Sequence, residues 1–211
     1  MRFFSLALLL FCAAFQINAQ TKYENNFEKE KVGSVPDDFL VLDGSFSVKE
    51  ENGNKFLELA GTPLDSFGIL FGPNEKENVA VSARIFGTTK GRRYPVFEVG
   101  LNGAGGYKLR VSPAKKQLEL YRGDALKAGV PFEWQSAKWT FLRLRLVNNG
   151  DKDWKIEGEA WQDGGKDPEK PNIVFRDSEA PPTGRSSVGG MPYSGTPIRF
   201  DDLQVSATSI R

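Results

Sequence analysis

Two sets of carboxylates carry the side chains best suited to chemistry. Glu157-Gly158-Glu159-Ala160-Trp161-Gln162 spaces two glutamates at i and i+2, which puts both on one face of a strand. Glu98 and Glu119, on separate predicted strands, form a second candidate pair. Paired carboxylates can cleave a glycosidic bond, one as proton donor and one as nucleophile or base. Arg84, Arg110, Arg143 and Arg145 follow the same alternation as these acids. Their presence on the same faces favours ion-paired carboxylates over free ones.

Other chemistries are excluded by composition. The chain has no histidine, and its one cysteine is Cys12. A Ser-His-Asp triad and a histidine-based zinc site therefore cannot be built. Gly103-Ala104-Gly105-Gly106 lies between predicted strands and opens no helix, so it reads as a turn rather than a phosphate loop. Calcium, which takes oxygen ligands, is the metal this composition allows. Glu28 near the first strand and Asp201 or Asp202 in the last are the candidate ligands for a structural calcium ion. No other cofactor is indicated.

Lysine and arginine number 28 against 27 aspartate and glutamate, a formal net charge of +1. A balanced chain without a basic stripe argues against nucleic acid or an anionic membrane as partner. Met1-Arg2, the apolar run Phe3–Phe15 and the small residue Ala19 read as a secretory signal over residues 1–19. The run is too short to span a bilayer. Phe11 before Cys12 lacks the small side chain that a lipoprotein signal needs. Residues 20–211 are then one domain without cysteine, exported to the periplasm, cell surface or medium and held together by burial alone. Export without disulfides points to a bacterial source.

Period-two alternation predicts strands at Phe39–Leu42, Phe46–Glu50, Lys55–Leu59, Phe67–Phe71, Asn78–Phe86, Tyr94–Leu101, Tyr107–Val111, Lys116–Tyr121, Trp139–Val147, Asp153–Trp161, Asn172–Arg176 and Ile198–Val205. Ala125–Ala128 reads as a helical turn at most, and Glu179–Pro197, which contains Tyr193, as a long Pro/Gly/Ser-rich loop. Strands joined by turn signals without intervening helices make an antiparallel two-sheet β-sandwich, an all-β fold. In one hairpin a symmetric turn sets Arg145 opposite Glu157, Arg143 opposite Glu159 and Phe141 opposite Trp161, with Leu142, Leu144, Leu146, Trp154 and Ile156 facing the core. Charge alternation in the other strands extends this pattern into an Arg/Glu lattice on the outside of one sheet.

Several motifs together carry a resemblance. They run from Asn26-Phe27-Glu28 and Gly33-Ser34-Val35-Pro36, through Gly53-Asn54-Lys55, Phe71-Gly72-Pro73 and Pro131-Phe132-Glu133-Trp134, to Asn149-Gly150-Asp151 and Pro197–Val205. Nearly all of residues 20–211 resembles the concanavalin A-like, or laminin-G-like, jelly-roll domains of secreted bacterial proteins. The likeness extends to domains termed family-16 glycoside-hydrolase-like. It implies a two-sheet jelly roll whose relatives bind carbohydrate or protein, some of them cleaving glycans. The catalytic members carry Glu-x-Asp-x-x-Glu on one strand. Here Glu159 replaces the aspartate and Gln162 the last glutamate, and a glutamine cannot deliver a proton to a leaving group.

The favoured reading is a non-catalytic module for polysaccharide or oligosaccharide. Arg84, Glu98, Arg110, Tyr121, Trp134, Trp161 and Tyr193 are its candidate ligand-binding residues. Trp154 goes to the core by phase, and Trp139 to packing at the start of its strand. Two alternatives stay open: a glycan-active enzyme using a carboxylate pair, and a scaffold that binds another exported protein.

Overall fold

Alternation of this kind leaves each strand one apolar and one polar face, so two sheets must close on each other. The computed structural model describes residues 20–62 and 65–208 and shows this closure. The expected signal sequence lies outside the described residues. In chain order the strands are β1 (Thr21–Asn25), β2 (Leu40–Asp43), β3 (Phe46–Glu51), β4 (Asn54–Leu59), β5 (Phe67–Glu75), β6 (Val79–Phe86), β7 (Val96–Leu101), β8 (Tyr107–Ser112), β9 (Gln117–Arg122), β10 (Ala125–Pro131), β11 (Thr140–Asn148), β12 (Trp154–Gln162), β13 (Ile173–Asp177), β14 (Gly184–Met191) and β15 (Ile198–Ala207). One sheet runs β13-β12-β11-β6-β15-β4-β3, with β1 also on β15; the other runs β10-β9-β8-β7-β14-β5-β2. Every pairing is antiparallel, giving a two-sheet jelly roll. Among the described residues no helix is long and apolar enough to cross a membrane.

The core is the sum of the two inner faces. Val81, Ile85, Leu142, Leu144 and Ile156 of the first sheet meet Ile69, Phe97, Val99, Leu109 and Leu120 of the second, all fully buried. Each such apolar side chain contributes about 1.5–3 kcal/mol of burial. Trp154 joins this core as its phase predicts, and its indole N–H donates to Glu77 at 2.9 Å.

The β11–β12 ladder has the register read from the sequence, with Arg145 opposite Glu157, Arg143 opposite Glu159 and Phe141 opposite Trp161. Three strands go beyond the sequence reading. β1 pairs with the second half of β15. β10 forms where a helical turn was expected. β14 runs through the expected Glu179–Pro197 loop and sits between β5 and β7. Its Gly184, Gly189 and Gly190 give no alternating signal, yet the position needs them. A Cβ on Gly189 would lie 2.5 Å from the Phe67 carbonyl oxygen, and one on Gly190 2.6 Å from that of Val96.

The charge lattice is also divided differently. Arg84, Arg143, Arg145, Glu157 and Glu159 belong to the first sheet, whereas Glu98, Arg110, Glu119 and Tyr121 belong to the second. Two lattices therefore cover opposite faces of the sandwich. Period-two phase tells which side of its own sheet a residue faces, but not which sheet holds the strand.

Candidate functional site

The first sheet builds a groove of about 340 Å³ on its outer face. Its floor is aromatic. Phe56 of β4, Phe86 of β6 and Trp139, just before β11, occupy outward positions that alternation normally gives to polar residues. Phe86 and Trp139 touch at 5.4 Å between ring centroids. Arginines lie on these rings: Arg84 is 4.5 Å from the Trp139 centroid, and Arg199 is 4.6 Å from that of Phe56 and 5.6 Å from that of Phe86. One wall is the β3–β4 turn. Asn52 and Gly53, with φ of 54° and 78°, form the type I′ turn that an Asn-Gly pair favours. This turn carries Glu51, Asn52 and Asn54 to the rim.

A bulge in β15 fixes the arginines. The register slips between Asp201 and Gln204, and Asp202 takes φ of 49°. Consecutive strand residues ordinarily face opposite sides, but a bulge can bring two to the same side. Here Asp201 Oδ2 accepts from Arg84 Nη2 at 2.6 Å, and Asp202 Oδ2 lies 3.1 Å from Arg84 Nε. Asp201 also accepts from the Asn54 amide at 3.0 Å. Arg199 donates to Glu51 Oε2 at 2.5 Å and lies 3.5 Å from Glu58. The result is a rigid set of guanidinium donors beside aromatic edges. Such a surface suits a ligand with both hydroxyls and an apolar ring face.

Burial pushes the Asp201 carboxyl above the ordinary aspartate value, and the bonds from Asn54 and Arg84 offset only part of that rise. Glu159 is raised in the same way by burial, against the pull of Arg145 and Arg143. Burial also acts on Glu119, but Lys115 and Ser112 outweigh it and hold that carboxyl low.

The structure does not bring the seven expected ligand residues together. Arg84 lies in the groove. Glu98, Arg110 and Tyr121 are on the opposite sheet, with Arg110 bonded to Glu98 at 2.6 Å and stacked 4.5 Å from the Tyr121 centroid. Trp161 shares the face of Arg84, stacks on Phe141 at 5.2 Å and carries Arg143 at 4.9 Å. Trp134 packs on Phe97 between the sheets and donates its indole N–H to Thr140 at 3.1 Å, which makes it a half-buried structural ring. Tyr193 stands 39% exposed in the turn after β14. Sequence reading missed Phe56, Phe86, Trp139 and Arg199. Their signal was phase: three rings in or beside strands whose other face already supplies the core.

The candidate carboxylate pairs are all engaged. Glu159 lies 2.8 Å from Arg143 and 3.0 Å from Arg145. Glu157 lies 3.0 Å from Lys155 and 3.9 Å from Arg145. Glu119 accepts from Ser112 at 2.5 Å and from Lys115 at 2.8 Å. Because the β11–β12 register is unbroken, Gln162 cannot share a face with Glu157 and Glu159. Its amide instead clamps Gln135 and Thr140.

The residues expected to hold calcium do not fit the ion. Glu28 accepts the Lys55 backbone N–H at 3.0 Å, and the Arg84 guanidinium lies between Asp201 and Asp202 where a cation would sit. Among the described residues no group of three or more acidic side chains is arranged to hold a metal.

No protein-family model and no curated protein sequence matches the chain. Solved structures do match its fold. The carbohydrate-binding module CBM66 from Bacillus subtilis aligns at 13% identity with a TM-score of 0.56, over 81% of this chain and 96% of the module. The carbohydrate-recognition domain of Emp46p, in metal-free form, aligns at 12% identity and 0.58, over 92% of this chain and all of that domain. Domain 4 of AbnA, an extracellular arabinanase of Geobacillus stearothermophilus in complex with arabinotriose, aligns at 13% and 0.50, over 92% and 95%. These likenesses bear out the β-sandwich implied by the sequence resemblance and give its family-16 part no support.

Proposed function

We propose that the chain is an exported, non-catalytic carbohydrate-binding module whose ligand lies in the Phe56–Phe86–Trp139 groove. The observation that carries this reading is the pairing of outward aromatic rings with guanidinium groups held by buried or rim carboxylates. Sugars present C–H faces to rings and hydroxyls to fixed donors, and binding sites combine an apolar lining with a few oriented polar groups. Neighbours of the same fold include two carbohydrate-binding domains and a domain holding arabinotriose, which favours an oligosaccharide ligand. The engagement of Glu98, Glu119, Glu157 and Glu159 by cations supports binding without hydrolysis. Export rests on the signal-like residues 1–19.

Affinity electrophoresis and calorimetry of the purified protein with arabinan, xylan and β-glucan test the proposal. Binding to at least one, weakened tenfold or more by Trp139→Ala and left intact by Tyr121→Ala on the opposite face, is the expected result. Retention by none, or equal loss in the two variants, would overturn it.

A further inference from the structure

A second cavity of about 520 Å³ opens on the same sheet, where β1 meets the second half of β15. Gln204 points outward there, opposite Glu24 on β1 and Ser82 on β6. The lining includes Glu24, Asn26, Lys29, Asp202 and Gln204 and contains no aromatic ring. Asp202 lines this cavity and Arg84 lines the aromatic groove. The 3.1 Å contact between them makes the divide one ion pair thick. The bulge accounts for the geometry: β4 holds the first half of the β15 edge and β1 the second, leaving Asp202, 53% exposed, at the junction.

We infer that the two cavities are neighbouring subsites of one cleft, and that the ligand is an uncharged linear oligosaccharide gripped over several residues rather than a single terminal sugar. This rests on the carbohydrate-binding reading above. The division of labour follows from the linings. The aromatic groove offers ring surfaces, whereas the second cavity offers amides and carboxylates that recognise hydroxyls by hydrogen bonds. Asn25 is already spent on Glu30 and on the Phe27 N–H, but the Asn26 amide uses only its oxygen, weakly, on the Glu28 N–H. Charge sets the class of sugar. Glu24, Glu30, Glu51 and Asp202 outweigh Lys29, Arg84 and Arg199 along the two linings, and both arginines are matched to acids. A uronate or sulfated chain would meet excess negative charge.

Calorimetry with arabino-, xylo- and gluco-oligosaccharide ladders from dimer to hexamer is the test, with an oligogalacturonate ladder as the charged probe. The Kd for a neutral ladder should fall at least tenfold from dimer to the length where it levels off. Gln204→Ala and the exposed-site variant Glu24→Ala should each abolish that gain while leaving dimer affinity unchanged. The charged ladder should bind at least tenfold more weakly. A Kd independent of length, or an equal loss for dimer and hexamer in both variants, overturns the two-subsite assignment, and preference for the charged ladder overturns the uncharged ligand; each leaves the module's function standing. Failure of every ladder to bind overturns both.

Discussion

Arg84 and Asp201 meet at 2.6 Å across the β6–β15 ladder, with the aspartate side chain only 1% exposed. Removing one partner of such a pair strands the other charge in a poorly solvated place. Arg84→Met should therefore destabilise the fold by about 3 kcal/mol in urea titration. The Arg84→Met, Asp201→Asn double variant should recover much of that loss. A double variant no more stable than Arg84→Met would show that the stranded charge is not the cause.

The raised Asp201 carboxyl gives a pH signature of defined sign. A folded pKa above the unfolded value means that the folded state binds more protons between the two, so stability falls as pH rises through that window. The window opens at the ordinary aspartate value of 3.8 and extends upward to the raised folded value. Glu77, Glu119 and Asp177 act oppositely, since their carboxyls are lowered in the fold. The contribution of Asp201 is thus a difference between proteins. Relative to the parent, Asp201→Asn should gain stability with rising pH across this window and hold the gain above it, as read from melting temperatures.

A second cluster joins the sheets and shows the reverse sign. Tyr107, fully buried, donates to Asp177 Oδ2 at 2.8 Å, and Arg122 Nη1 donates to the same oxygen at 2.7 Å. Burial raises the Asp177 carboxyl, but the Glu179 N–H, Tyr107 and Arg122 outweigh it. Its contribution is present above the ordinary aspartate pKa and lost as pH falls through the lowered one. Tyr107→Phe should cost about 1–3 kcal/mol at neutral pH, and part of that gap should close in acid. A gap constant from neutral pH to the acid limit would show that the lost bond does not act through the ionised carboxylate.

Glycines in the sheets differ by what surrounds them. Gly189→Ala would drive a Cβ to 2.5 Å from a main-chain oxygen, whereas Gly158→Ala meets the end of the Leu109 side chain at 2.6 Å. A side-chain tip can rotate and a central strand cannot, so the first should cost about 3 kcal/mol and the second about 1 kcal/mol. Equal costs by chemical denaturation would refute the distinction.

The fold was largely legible because burial without disulfides forces regular alternation. Leu142, Leu144 and Leu146 set the β11–β12 register with no ambiguity, since a slip by one would expose all three. β14 was hidden for the opposite reason: packing between β5 and β7 demands glycines, which carry no hydropathy signal. The groove was half legible. Arg84 was picked out by its outward phase, but Trp139 was assigned to packing, and Phe56 and Phe86 were placed in strands without being singled out. What joins them to Arg84 and Arg199 is the order of strands in the sheet, a non-local property that alternation within single strands cannot encode.

The pairing of β1 with β15 brings the carbonyl of Gln20 to 2.8 Å from the amide of Ala207. A short linker could join these neighbours, and the chain could be reopened at the Asn149-Gly150-Asp151 turn between β11 and β12. Such a circular permutant would retain all the sheet pairings. The same proximity would let the domain be spliced into a surface loop of a host protein without prying its two sheets apart.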